Sequence, residues 1–289
     1  MKNENNDYDK IIGKVYDEYK RFLNNVALPD ITYVWINSDE GIFAYFDAKE
    51  LYNKTYKLYL NKNFFELYDE KSYKSHFCKE LYKISDNKTI PQMLYHEFTH
   101  LADSLSFNKY DFETFDKLMF TYSEYNSSRI ELMKSLDFKS EFEKVGIELS
   151  DTVTYYYKEM SVNDFFTNKI NEYKNNVVVY VHENKYEIVR QLMYILGYIS
   201  VSELFVDKFI PMLNEAAYIK EEALKIFNAL YKKNIEDILE ANVALEEYFL
   251  DFQARKKCKE IYGNLISDDD LQTITNKNYD EVIKNIIKK

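Results

Sequence analysis

Residues 89–100 read Thr89-Ile90-Pro91-Gln92-Met93-Leu94-Tyr95-His96-Glu97-Phe98-Thr99-His100. The opening has the Ser/Thr-x-x-Glu/Gln form of a capping box, with Thr89 at the N-cap and Pro91 in the first turn, where a missing N–H costs little. The spacing predicts a helix from there to about Leu105. Inside it lies H-E-x-x-H. Two histidines at i and i+4 stand one turn apart on one face, where both imidazoles can share a metal ion. Neutral imidazole suits zinc, and two such ligands plus a carboxylate leave a fourth position open for water. Zinc lowers the pKa of bound water to roughly 7. Glu97, next to His96, is then placed to take a proton from that water and pass it to a leaving amine. The chain has only 4 His, so this pair is half of them.

Such a site needs a third protein ligand. Asp103, Glu113, Glu124 and Glu131 follow downstream. Asp103 shares the face of His100, but its short side chain suits it better as an acceptor for the His100 ring N–H. Glu124 fits best. It follows His100 at a distance that allows a loop and a return helix, and Ser127 and Ser128 would let that helix approach closely. Glu131, two turns beyond Glu124, is the fallback.

Outward from this helix, the N-terminal flank mixes periods. Ile11, Ile12, Val15, Tyr16, Tyr19 and Phe22 recur at helical spacing, predicting a helix over Tyr8–Val26 that Leu28-Pro29-Asp30 ends. Three short strands follow: Ile31–Ile36, Ile42–Phe46 and the alternating segment from Tyr56 to Asn61. Beyond residue 73 the helical period dominates. Helices are expected over Tyr73–Ser85 and over Phe112–Leu136, the latter in two pieces with a start near Ser123. Val177–Val181 fits a late strand or a buried helix segment. About three helices are expected between Glu187 and Arg255, with Pro211 marking one start and Asn234 another boundary. A capped terminal helix runs from the Ser267 region to Ile287. The fold class is therefore α+β, mostly α. A first domain over 1–140 and a helical extension over 141–289 are expected.

Composition narrows the function classes. The chain has 289 residues and a net charge of −11. A general nucleic-acid binder needs a basic face to displace counterions, and no dense Lys/Arg cluster marks one. Cys78 and Cys258 are the only cysteines. They give neither a disulfide framework nor a cysteine zinc site, which fits a reducing compartment. The first ten residues lack the apolar core of a signal peptide, and no apolar run reaches the ~18–20 residues of a membrane span. These readings predict a cytoplasmic chain that needs no membrane.

His96-Glu97-x-x-His100 followed by Glu124-x-x-Ser127-x-Arg129-Ile130 resembles the gluzincin arrangement. In particular it is similar to ImmA/IrrE-like metallopeptidases, which are usually intracellular and often encoded on phages or mobile elements. The resemblance covers roughly residues 30–140. It implies that His96, His100 and Glu124 bind Zn2+ and that Glu97 is catalytic. It also implies a small sheet packed on the H-E-x-x-H helix, with the segment from Tyr56 to Asn63 as the edge strand beside it. The expected function is hydrolysis of peptide bonds in a protein or peptide substrate. The alternative is a non-catalytic module of a mobile element that captures a host or regulatory protein. A peptidase also needs a donor for the oxyanion, and Tyr122, Tyr125, His182 and Arg190 are candidates. Arg129 can hold a site carboxylate. His76 beside Cys78 has no partner spacing that supports a second metal.

Overall fold

The computed structural model describes residues 5–38, 42–67, 89–144, 146–155, 158–180, 185–217, 222–263 and 266–287. The helix expected over Tyr73–Ser85, the pair His76 and Cys78, and His182 lie outside them. The class is α+β, mostly α, as expected. The chain forms two compact units. One holds Met1–Lys169 with Met193–Phe209, and the other holds Ile170–Leu192 with Ile210–Lys289. The units are thus drawn differently from a cut at residue 140, because the segment from Met193 returns to the first one. Among the described residues no helix is long and apolar enough to cross a membrane.

The first unit begins with helix α1 (Asn5–Phe22) and a three-stranded sheet. Its strands are β1 (Thr32–Ile36), β2 (Ala44–Phe46) and β3 (Lys57–Asn61); α2 (Ala48–Tyr52) connects β2 to β3, and α3 (Lys62–Leu67) follows β3. All three predicted strands form. The order is β1-β3-β2, with β1 parallel and β2 antiparallel to β3. This corrects one expectation: the segment from Tyr56 is the central strand, and the edge strand that packs on the H-E-x-x-H helix is β2. The reason is burial. Leu58 and Leu60 are both fully buried, and the strand that carries them pairs its backbone with β1 on one side and β2 on the other. Asn61, itself buried, closes the loop between β1 and β2 by donating to the carbonyls of Ser38 and Ile42, both at 2.9 Å.

Helix α4 (Thr89–Phe107) carries the histidine motif. Its apolar positions Tyr95, Phe98 and Thr99 turn away from the histidines and meet α1. Tyr16 packs on Phe98 with ring centroids 4.7 Å apart, and Tyr19 meets Tyr95 at 5.1 Å. The buried Tyr19 hydroxyl donates to Thr99 Oγ1 (3.0 Å), which donates to the Tyr95 carbonyl (2.7 Å). The rotation of α4 is therefore set from behind. The capping box is not closed in the expected way. Gln92, read as the partner that reaches back to Thr89, donates to the Thr154 carbonyl (3.0 Å). It thereby ties α4 to the hairpin of β4 (Thr152–Tyr155) and β5 (Lys158–Ser161).

The return limb is α5 (Phe112–Leu118), capped by Asp111, then a π-helical segment Met119–Ser123, then α6 (Glu124–Ser135). The predicted division near Ser123 is present. Its form is one wide turn with i→i+5 bonding, a feature frequent at functional sites. Helices α7 (Val162–Tyr180), α8 (Lys185–Ile199) and α9 (Glu203–Ala217) follow. The run from Val177 is thus helical as far as Tyr180. Pro211 does not start a helix but lies inside α9. Proline lacks only one N–H, and a helix already formed can pass through it at some cost. The change of compact unit falls beside it, between Phe209 and Ile210.

The second unit is helical. It includes α10 (Glu222–Tyr231), α11 (Ile235–Tyr262), α12 (Asp268–Thr273) and α13 (Tyr279–Ile287). Asn234 caps α11, as its position predicted, and Gly263 at φ 48° ends it. The expected single terminal helix is two, α12 and α13. Cys258 is fully buried with Ala254, Ile274 and Ile283, so it is a core residue, and burial raises its thiol pKa.

Candidate metal centre

Helix α4 packs along α6 in the first unit, and this pairing brings His96, His100 and Glu124 together. One ligand atom of each lies within 4.8 Å of the others, so the group can hold a metal ion. His96 Nε2 and His100 Nε2 are each 3.6 Å from Glu124 Oε2. That is too long for a good N–H···O bond. It is close to the spacing of donors around a shared ion: ligands about 2.1 Å from zinc at tetrahedral angles stand about 3.4 Å apart. The donor chemistry, two imidazoles and a carboxylate, suits zinc. All three side chains are largely buried, at 12–14 % exposure.

The opposite ring nitrogens are held by α6 and the π-helical segment. His96 Nδ1 is 3.1 Å from Glu131 Oε2. A carboxylate only accepts, so this bond requires the proton on Nδ1, and the neutral ring then presents its lone pair at Nε2. His100 Nδ1 is 2.8 Å from Ser123 Oγ and 3.2 Å from Ser127 Oγ. Such partners fix ring orientation and tautomer around a metal. Glu124, Ser127 and Glu131 recur at i, i+3 and i+7, so one helical face supplies both the candidate ligand and the outer supports. Glu131, the fallback ligand, sits on the outer side of His96.

The buried Asp103 carboxylate accepts from Asn126 Nδ2 at 3.2 and 3.1 Å. Asn126 in turn accepts from Arg129 Nε (3.1 Å), and the Arg129 guanidinium lies 3.6 Å from Glu141. Arg129 therefore pairs with Asn126 and Glu141. Tyr122 and Tyr125 are buried core rings, and Arg190 pairs with Glu187 in the second unit. Glu113 bonds Lys117 on an exposed turn.

Two residues that sequence reasoning missed come from α8. The Tyr194 ring meets the His96 ring edge-on, with centroids 5.5 Å apart. The buried Tyr198 hydroxyl is 3.5 Å from Glu131 Oε2 and 3.4 Å from the Tyr155 hydroxyl. Among 28 tyrosines no spacing distinguishes these two. Gly197 permits the approach: a Cβ there would collide with the Tyr125 carbonyl oxygen and come within 3.0 Å of Arg129 N and Ser128 Cβ. Ser128, expected to let α6 approach α4, lies against Gly197 of α8.

Electrostatics favour a charged His96 when no metal competes. Burial alone pulls its pKa down from the ordinary 6.5. The carboxylates of Glu124 and Glu131, and the charge of Glu97, outweigh this and raise it to about 10. A raised folded-state pKa stabilises the fold fully below the unfolded value, and this stabilisation is lost as pH rises towards 10. The melting temperature of chelator-treated protein is expected to fall across pH 6.5–10, and His96→Asn to remove the part of that fall due to His96. Affinity for a metal ion at this group is expected to rise over the same interval, because the ion must displace the proton.

Loss of Glu124 is expected to weaken metal-ion binding at this group by on the order of a hundred- to a thousandfold. That is one ligand's share of the roughly 10–16 kcal/mol typical of structural zinc sites. Competition with a chromophoric chelator measures it. Glu113→Ala, on an exposed turn, should leave affinity unchanged; an equal loss in both variants would remove Glu124 from the site.

Comparison with known proteins gives no identification: no family model, no curated protein and no solved structure matches this chain.

Proposed function

We propose that the chain is a zinc-dependent peptidase that hydrolyses peptide bonds of a protein substrate inside the cell. The observation that carries this reading is the convergence of His96 Nε2, His100 Nε2 and Glu124 Oε2, with Glu97 adjacent to the first ligand. A zinc ion held by these three would supply Lewis acidity towards a carbonyl and an attacking water. Glu97 takes the proton of that water and returns it to the leaving amine. Glu131, Ser123 and Ser127 hold the two imidazoles in place throughout.

Substrate enters as an extended strand beside β2, which lies at the sheet edge next to α4. Among the described residues no other strand covers the outer side of β2. Main-chain pairing of this kind gives affinity with little demand on sequence.

The test combines metal analysis with an unbiased search for products. Purified wild-type protein and the Glu97→Gln variant should each hold one zinc per chain. Cellular proteins shortened on expression of the wild type, and intact with Glu97→Gln, would identify substrates. Zinc that persists in the His96→Ala, His100→Ala double variant would remove the site assignment. Stoichiometric zinc with no shortened protein would favour the binding-module alternative.

A further inference from the structure

We propose that Tyr198 and Glu131 form a positioning relay through which helix α8 sets the orientation of His96 and so tunes metal affinity. The inference rests on the metal reading of the site, not on the peptidase reading. Three observations in the first unit carry it. First, Glu131 is 6 % exposed, and its Oε2 faces His96 Nδ1 at 3.1 Å and the Tyr198 hydroxyl at 3.5 Å. A buried carboxylate is costly unless hydrogen-bonded, so the two contacts fix where it sits. Second, Tyr198 is itself fully buried and cannot turn its hydroxyl to solvent; that hydroxyl also meets the Tyr155 hydroxyl on β4 at 3.4 Å, and its ring packs edge-on against Phe165. Third, Gly197 lets the α8 backbone press on α6 at Tyr125, Ser128 and Arg129. Tyr194 and Tyr198, one turn apart on α8, then reach the His96 ring and its carboxylate partner respectively. A shift of α8 is transmitted through Tyr198 to Glu131 and from there to the ring that offers Nε2.

The two residues act in series, so their effects must be coupled. Zn2+ affinity, read by competition with a chromophoric chelator, is the first measurement. The visible spectrum of the Co2+-substituted protein, which reports ligand geometry, is the second. Glu131→Gln keeps the shape but not the charge, and should weaken zinc binding about 10–100-fold, the usual loss for an outer carboxylate. Tyr198→Phe keeps the ring and should weaken it several-fold, with a shift of the Co2+ bands in the same sense. In the Glu131→Gln background, Tyr198→Phe should add less than about twofold, because the path through the carboxylate is already cut.

A Tyr198→Phe variant with wild-type affinity and spectrum would overturn the relay. So would a loss of equal size in both backgrounds, which would mean a general packing effect. If Glu131→Gln loses helicity by circular dichroism, Glu131→Asp takes its place in the cycle, with the same outcomes. A wild-type protein that binds no zinc would overturn the metal reading and the relay together. Zinc binding that needs His96 and His100 but ignores Tyr198 would overturn the relay alone.

Discussion

On the proposed peptidase reading, Glu97→Gln is expected to lower peptide-bond hydrolysis by about 10²–10⁴-fold, the usual contribution of a general acid–base group, while zinc stoichiometry stays unchanged. Glu97 follows His96 on α4 by one residue, so its side chain is turned about a quarter of a circle from the ligand. It is half-buried, and its charge acts on the His96 ring. Gln fills the same volume and still accepts a hydrogen bond at its carbonyl, but it cannot take up a proton. Binding and chemistry are thereby separated. Steady-state hydrolysis of a substrate found by the cellular search, measured beside metal analysis, checks this result. Cleavage by Glu97→Gln at the wild-type rate would exclude Glu97 as the base; loss of zinc from the variant would mean that Glu97 helps to hold the ion.

Gly197→Ala carries the largest expected effect on stability, and its sign is diagnostic. Within an ordinary helix this change stabilises by about 1 kcal/mol, since glycine loses more backbone entropy on folding. Here the new methyl would meet the Tyr125 carbonyl oxygen and Arg129 N, both backbone atoms that no rotamer change can move aside. Overpacking of this kind costs about 1–3 kcal/mol or more, and displacement of α8 also disturbs Tyr194 and Tyr198. We expect a net loss of about 2 kcal/mol, read as a fall of roughly 5 °C in melting temperature, together with weaker zinc binding. A rise in melting temperature would show that α8 does not press on α6.

Much of the fold was legible because local chemistry dictates it. The spacing of Ile12, Val15, Tyr16, Tyr19 and Phe22 specified α1, β-branched and aromatic runs marked three strands, and Asn234 announced the start of α11. Pro211 misled because the missing N–H and the ring clash of a proline make a helix interior costly without forbidding it, and α9 continues through it. The edge position assigned to the segment from Tyr56 failed because pairing order is not local. It depends on which strand the rest of the sheet buries, and Leu58 and Leu60 are buried at the centre.

The candidate centre divides along the same line. Sequence alone determined that His96 and His100 share a face with Glu97 between them, because a helix converts i, i+4 into one turn. It also favoured Glu124, through the small residues that follow it. Only the tertiary structure decided that Glu131 stands behind His96 rather than beside Glu124, that Ser123 and Ser127 hold His100, and that Asp103 turns to Asn126. Only the tertiary structure brought Tyr194 and Tyr198 to the site from a helix distant in sequence. The physical reason is range: backbone hydrogen bonding sets spacing within a helix, whereas the packing of α4, α6 and α8 selects which side chains meet across them.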